Sequence, residues 1–113
     1  MLKLKRAYEK PAATDGFRIL VDRLWPRGLT KQKAKVDVWL KDVAPSPALR
    51  VWFNHDPKKW AAFKRRYTAE LRKNKKAVSE LRALLKKHKT VTLVYAAKDV
   101  EHNDALVLQD FLS

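Results

Sequence analysis

The chain predicts an α/β fold, a small parallel or mixed sheet of about four strands with helices packed against it. Three observations carry that expectation. Phe17–Val21 and Thr90–Ala97 are nearly unbroken apolar runs of strand-forming residues, as strands covered on both faces would be. Between them, Trp60, Phe63, Tyr67, Leu71, Val78, Leu81 and Leu85 follow one another in a single helical phase. Every Gly and Pro lies at or before Pro57, so irregular backbone is confined to the first half.

The elements follow in order. Leu2 to Tyr8 alternates apolar and basic residues, which suits an edge strand with one wet face. Pro11 and Asp15-Gly16 mark a loop and turn before the second strand, Phe17–Val21. Trp25-Pro26-Arg27-Gly28 stops that strand, and Thr30 can cap a short basic turn through Lys35. Val36–Leu40 alternates again and reads as a third strand. Ser46 then caps a short helix that Pro47 opens, placing Leu49, Val51, Trp52 and Phe53 near the core.

Asp56-Pro57 offers a second helix start. A single helix of about 30 residues from there would span about 45 Å. A domain of this size has a radius of gyration near ~13 Å, so an unbroken rod would overhang it. A break is therefore expected near Lys73-Asn74-Lys75, where Asn74 interrupts the stripe. Thr90–Ala97 is the expected central strand, and a last helix from about His102 to Leu112 turns Ala105, Leu108, Phe111 and Leu112 inward.

At 113 residues, 46% of them hydrophobic, the chain is expected to form one domain with a core of its own. It has no cysteine, which removes disulfides, thiolate nucleophiles and thiolate metal ligands together. No secretory signal or run of ~18 apolar residues is present, so a cytosolic protein with no membrane partner is expected. The formal charge of +14 implies attraction to polyanions. Half of the Lys and Arg lie between Lys58 and Lys89, opposed there only by Glu70 and Glu80. That concentration fits a solvated helix face as well as a binding surface.

Two polar motifs stand at strand ends. Asp22-Arg23-Leu24-Trp25-Pro26-Arg27-Gly28 puts an acid and two guanidiniums in one strand-to-loop transition. Two such forks can hold a phosphate or carboxylate, and Gly28 permits close backbone approach or a positive φ. Asp22 either orients an arginine or acts as a base; alternatively, an internal Asp22–Arg23 or Asp22–Arg27 ion pair holds the turn, with Trp25 as core. The second motif, Lys98-Asp99-Val100-Glu101-His102-Asn103, follows the central strand and opens the last helix. Helix amino termini attract anions, Lys98 adds charge, and a histidine can exchange protons near neutral pH. Asp99 or Asn103 can instead simply cap the helix. Right-handed crossovers would bring both motifs to one rim of the sheet, where ligands bind in open α/β folds.

Asn54-His55-Asp56 forms a third polar cluster, with Asp56 as a cap and His55 either reaching the rim or idle in its loop. No HxH or HExxH spacing, Gly-rich phosphate loop or serine elbow is present, so no metal or cofactor is expected.

Longer blocks go further. Val21 to Gly28, Trp39-Leu40-Lys41 with Ala44-Pro45-Ser46, Leu49-Arg50 with Trp52-Phe53 and His55-Asp56-Pro57, and Val91 through Asp99 with His102-Asn103-Asp104-Ala105 resemble the YeaO-like branch of domain of unknown function 488. The resemblance covers nearly the whole chain in order. It implies a small bacterial or archaeal cytosolic α/β protein with no established activity. Related branches carry cysteines near the segment matching Tyr95 to His102; this chain has none, so thiol chemistry does not carry over.

The leading expectation is an enzyme or binding protein for a small anionic ligand such as a nucleotide or phosphorylated metabolite. Asp22, Asp99 and His102 are the candidate acid–base groups; Arg23, Arg27 and Lys98 would hold the anion, with Asn103 beside them and Trp25 and Tyr95 walling the pocket. The alternative is non-specific nucleic-acid binding through Arg65, Arg66, Arg72, Lys73 and Lys76. A structural role as an oligomer subunit is the third.

Overall fold

A computed structural model describes all residues from Met1 to Ser113. It contains a four-stranded, wholly parallel sheet built from β1 (Leu2–Arg6), β2 (Phe17–Leu20), β3 (Val38–Trp39) and β4 (Val91–Tyr95), in the order β1-β4-β2-β3. The helices are α1 (Lys31–Ala34), α2 (Pro47–Phe53), α3 (Trp60–Lys73), α4 (Lys75–Lys87) and α5 (Asp104–Leu112). No helix is long and apolar enough to cross a membrane.

Strand β4 is central, and all five of its residues are buried. Its pleat sends Val91, Leu93 and Tyr95 to one face, where they join Ile19 and Val21 in the main core. Phe63, Tyr67 and Leu71 of α3, Val78 and Leu81 of α4 and Leu108 of α5 close that core from the helical side. Helix α3 ends at Lys73 and α4 begins at Lys75, so the expected break falls at Asn74, whose side chain donates to the carbonyl of Asp42 at 2.7 Å.

The opposite face carries Leu20 and Val94 with Ala7, covered by Trp25, Leu29 and Val36 from the segment between β2 and β3 and by Trp39 of β3. Two polar residues share this face. Arg18 is buried, ion-paired to Asp15 at 2.7 Å and donating to the carbonyls of Ala34 and Lys35. Thr92 donates to the carbonyl of Asp15. The buried cation thus fastens the turn before β2 to the end of α1.

Several boundaries depart from expectation. The third strand keeps only Val38–Trp39, because the carboxylate of Asp37 is turned onto the N–H of Arg18 and Leu40 leads straight into a turn over Lys41–Val43. Pro57–Lys59 forms a separate 3-10 turn ahead of α3. The last helix begins at Asp104 rather than His102, since the side chain of Asn103 accepts from the N–H of Leu106 and sets the cap there.

Candidate functional site

Because every strand runs parallel, the carboxyl ends of β1, β2 and β4 open on the same edge of the sheet. A cleft of about 680 Å³ lies there, within the range of small-molecule sites. The segment after β2 supplies Asp22 through Arg27, and the segment after β4 supplies Ala96 through Asp99 with His102, Asn103 and Asp104. Tyr8 follows β1, Arg50 and Phe53 come from α2, His55 from the turn after it, and Phe63 from α3. Both polar motifs therefore line one cleft.

The cations of this cleft have no acidic partners. Arg23, Arg27, Arg50 and Lys98 all line it, and none lies within 4.0 Å of a carboxylate. Neither an Asp22–Arg23 nor an Asp22–Arg27 ion pair forms. Arg23 is half-buried and steered by the carbonyls of Pro45 and Ala44, each at 3.3 Å. Arg27, Arg50 and Lys98 are exposed at the mouth.

Two of the cleft acids face one another instead. Asp22 accepts from the backbone N–H of Ala96 at 2.8 Å, tying the chain after β2 to the chain after β4. Its carboxyl lies within hydrogen-bonding reach of Asp104, the first residue of α5. Burial, and then the adjacent Asp22 charge, push the Asp104 carboxyl well above the usual carboxylate range. Burial raises Asp22 as well, while its bonds to Asp104 and Ala96 and the nearby charges of His55 and Arg50 pull it down. Burial thus raises both carboxyls of this pair above the usual carboxylate range.

A second acid–base couple stands at the rim. The Asp99 carboxylate meets Nδ1 of His102 at 2.8 Å and accepts from the backbone N–H groups of Glu101 and His102. The His102 ring rests edge-on against Trp60, with centroids 5.3 Å apart. Asp99 therefore fixes one ring nitrogen and leaves Nε2 for another partner. His55 is held differently: it and Asn54 both take left-handed backbone conformations, with φ of 54° and 45°. That conformation is uncommon for residues other than Gly, though Asn and His adopt it more readily than most.

The chain belongs to the DUF488 family. Residues 1–113 match the group described as the inactive DUF488-N3 subclade. The chain is 41% identical over 111 residues to the uncharacterized protein YeaO of Escherichia coli K12, covering 98% of this chain and 96% of the relative. It is also 41% identical over 112 residues to the uncharacterized protein Rv3073c of Mycobacterium tuberculosis H37Rv, covering 99% and 93%. No solved structure gives a significant match.

Against this DUF488 scaffold the sequence expectations divide. Asp22, Arg23, Trp25, Arg27, Lys98, Asp99, His102 and Asn103 all line the cleft. Trp25 also packs on the second core, its indole N–H donating to Leu29 and its ring meeting Trp39 edge-on. Asn103 is buried and spends its side chain on the cap of α5 and the carbonyl of Asp99. Tyr95 is a correction: it is buried in the main core at the end of β4 and does not line the cleft, because the strand pleat turns it toward the helices. Gly28 is needed for its φ of 77° and not for close approach, since nothing lies within 4 Å of the place its Cβ would take.

Asp104 and Arg50 lie within the blocks that carry the family resemblance but were not among the expected site residues. The signal for Asp104 was an acid directly after a capping Asn at a helix start, which reads as favourable to the helix dipole and nothing more. Arg50 sits within a helix whose apolar residues draw the eye to packing. Arg65, Arg66, Arg72, Lys73 and Lys76 are exposed on α3 and α4, away from the cleft.

Proposed function

We propose that the cleft binds a small anionic ligand bearing a phosphate or carboxylate. The observation that carries this reading is the set of four lining cations, Arg23, Arg27, Arg50 and Lys98, with no carboxylate partner. Cations free of direct ion pairs, gathered at a concave, partly apolar surface, attract anions and hold them by charge-assisted hydrogen bonds. The description of the matched subclade as inactive favours binding over turnover. If the cleft does support chemistry, Asp22 with Asp104 and Asp99 with His102 are its acid–base groups.

The test is a titration of the purified chain with phosphate and small carboxylates at low ionic strength, followed by amide chemical shifts. Binding should perturb residues 22–28 and 96–104 and weaken at least tenfold in the Arg27→Ala, Lys98→Ala double variant. Shifts confined to α3 and α4, or unchanged affinity in that variant, would sink the reading.

Nucleic-acid binding is the second reading, favoured by the exposed cations of α3 and α4. Its scope is narrowed by aromatic packing: the Trp52 ring is already covered by Arg66 at 4.1 Å and Lys59 at 5.0 Å. Base stacking on Trp52 would have to displace them, so this face offers phosphate contacts rather than base recognition.

A further inference from the structure

The chemistry of the cleft is divided by depth, and the division narrows the ligand. At the mouth stand Arg27, Arg50 and Lys98, exposed and without acidic partners. Deeper lies the Asp22–Asp104 pair, both residues half-buried, with one Asp22 oxygen already bound by the N–H of Ala96. A bare anion seated on this floor would face carboxyl oxygens and be repelled. A cationic head would be repelled by the mouth. What suits the floor is a neutral group rich in hydrogen-bond donors, attached to an anion that stays at the mouth. Carboxyl oxygens side by side match two adjacent hydroxyls, each O–H donating to one acceptor. Phe53 and Phe63, stacked at 4.2 Å, give the same cleft an apolar wall for the body of the ligand.

Building on the anion-binding reading above, we propose that the ligand is a phosphate-bearing vicinal diol, its phosphate at Arg27, Arg50 and Lys98 and its hydroxyls on Asp22 and Asp104. Nucleotides and sugar phosphates share that chemistry. The cleft volume of about 680 Å³ accommodates either.

Calorimetric titration of the full chain tests the proposal with five probes: a ribonucleoside 5′-monophosphate, its 2′-deoxy form, the free ribonucleoside, ribose 5-phosphate and inorganic phosphate. The expected order places a phosphorylated diol at least tenfold above the deoxy nucleotide, the free nucleoside and inorganic phosphate. Tighter binding of the nucleotide than of ribose 5-phosphate assigns the source as a nucleotide; the reverse assigns a sugar phosphate. Asp22→Asn and Asp104→Asn, checked for folding by thermal denaturation, should each erase the preference for the diol over the deoxy nucleotide. If inorganic phosphate and the deoxy nucleotide bind as tightly as the diols, the diol assignment is overturned and the anion reading survives. If none of the five binds, the diol assignment falls and the phosphate half of the anion reading falls with it.

Discussion

Asp22 and Asp104 face one another in the cleft, both carboxyls raised by burial, although one follows an inner strand and the other opens the last helix. The consequence for stability has a definite sign. An ordinary aspartate titrates near 3.8, and burial beside Asp22 lifts Asp104 well above that. Between the two values the folded chain keeps a proton that the unfolded chain has lost. The contribution of the pair is therefore complete below 3.8 and drains away as pH rises through the elevated titration. Asp104→Asn keeps a donor facing Asp22 and removes the titration. Urea midpoints measured from pH 4 to 9 should fall for the wild-type chain and stay flatter for the variant, which becomes the more stable of the two at the alkaline end. Parallel profiles would refute the raised titration of Asp104.

Asp15 behaves in the opposite sense. Its burial raises the carboxyl, but the N–H of Ala12 and the charges of Lys5 and Arg18 more than offset this and hold it below the usual value. Stability from this carboxylate is present above 3.8 and is lost as pH falls through the depressed value. Arg18→Leu strips Asp15 of its shortest partner and leaves the carbonyls of Ala34 and Lys35 without their donor. A loss on the order of 3–5 kcal/mol is expected in chemical denaturation at pH 7. A loss below about 1 kcal/mol would show that the cluster is not a working clasp.

The unequal legibility of the two sheet faces has the same origin. The helical face was readable because Phe63, Tyr67, Leu71, Val78 and Leu81 recur at one helical phase and need only that phase to be recognised. Strands β2 and β4 were readable from their apolar runs. The other face was not, because its cover is an irregular segment and its centre holds Arg18, a residue type that composition assigns to solvent. At the cleft, parallel topology was enough to bring the two motifs together. The Asp22–Asp104 pairing was not legible, since it joins two residues far apart in the chain and no local spacing encodes such a contact.

The chain has two glycines at positive φ, and they separate two reasons for glycine. A Cβ on Gly16 would fall 2.3 Å from the carbonyl oxygen of Thr90, which also accepts the N–H of Phe17 at the start of β2. Gly28 faces open space. Gly28→Ala should thus cost only its backbone conformation, about 1 kcal/mol. Gly16→Ala must also push β4 away and should cost about 3 kcal/mol or more. Equal losses in parallel thermal melts would contradict the close approach.

At the rim, the Asp99–His102 contact allows a prediction about how much of a carboxylate's acidity one partner supplies. Asp99 is held below the usual aspartate range first by the N–H of Glu101, and then by the His102 ring and its backbone N–H. The two side chains are 36% and 27% exposed, so solvent screens the ring's charge while the backbone bonds persist. Replacing His102 by Ala removes the ring and keeps both backbone donors. The Asp99 carboxyl, followed by carbon-detected NMR titration, should therefore rise but stop short of 3.8. A full return to that value would mean that the imidazole alone had set it. No movement at all would mean that the loop from Asp99 to Asn103 holds its acid without the histidine, leaving His102 free of the orienting role that its Nδ1 contact implies.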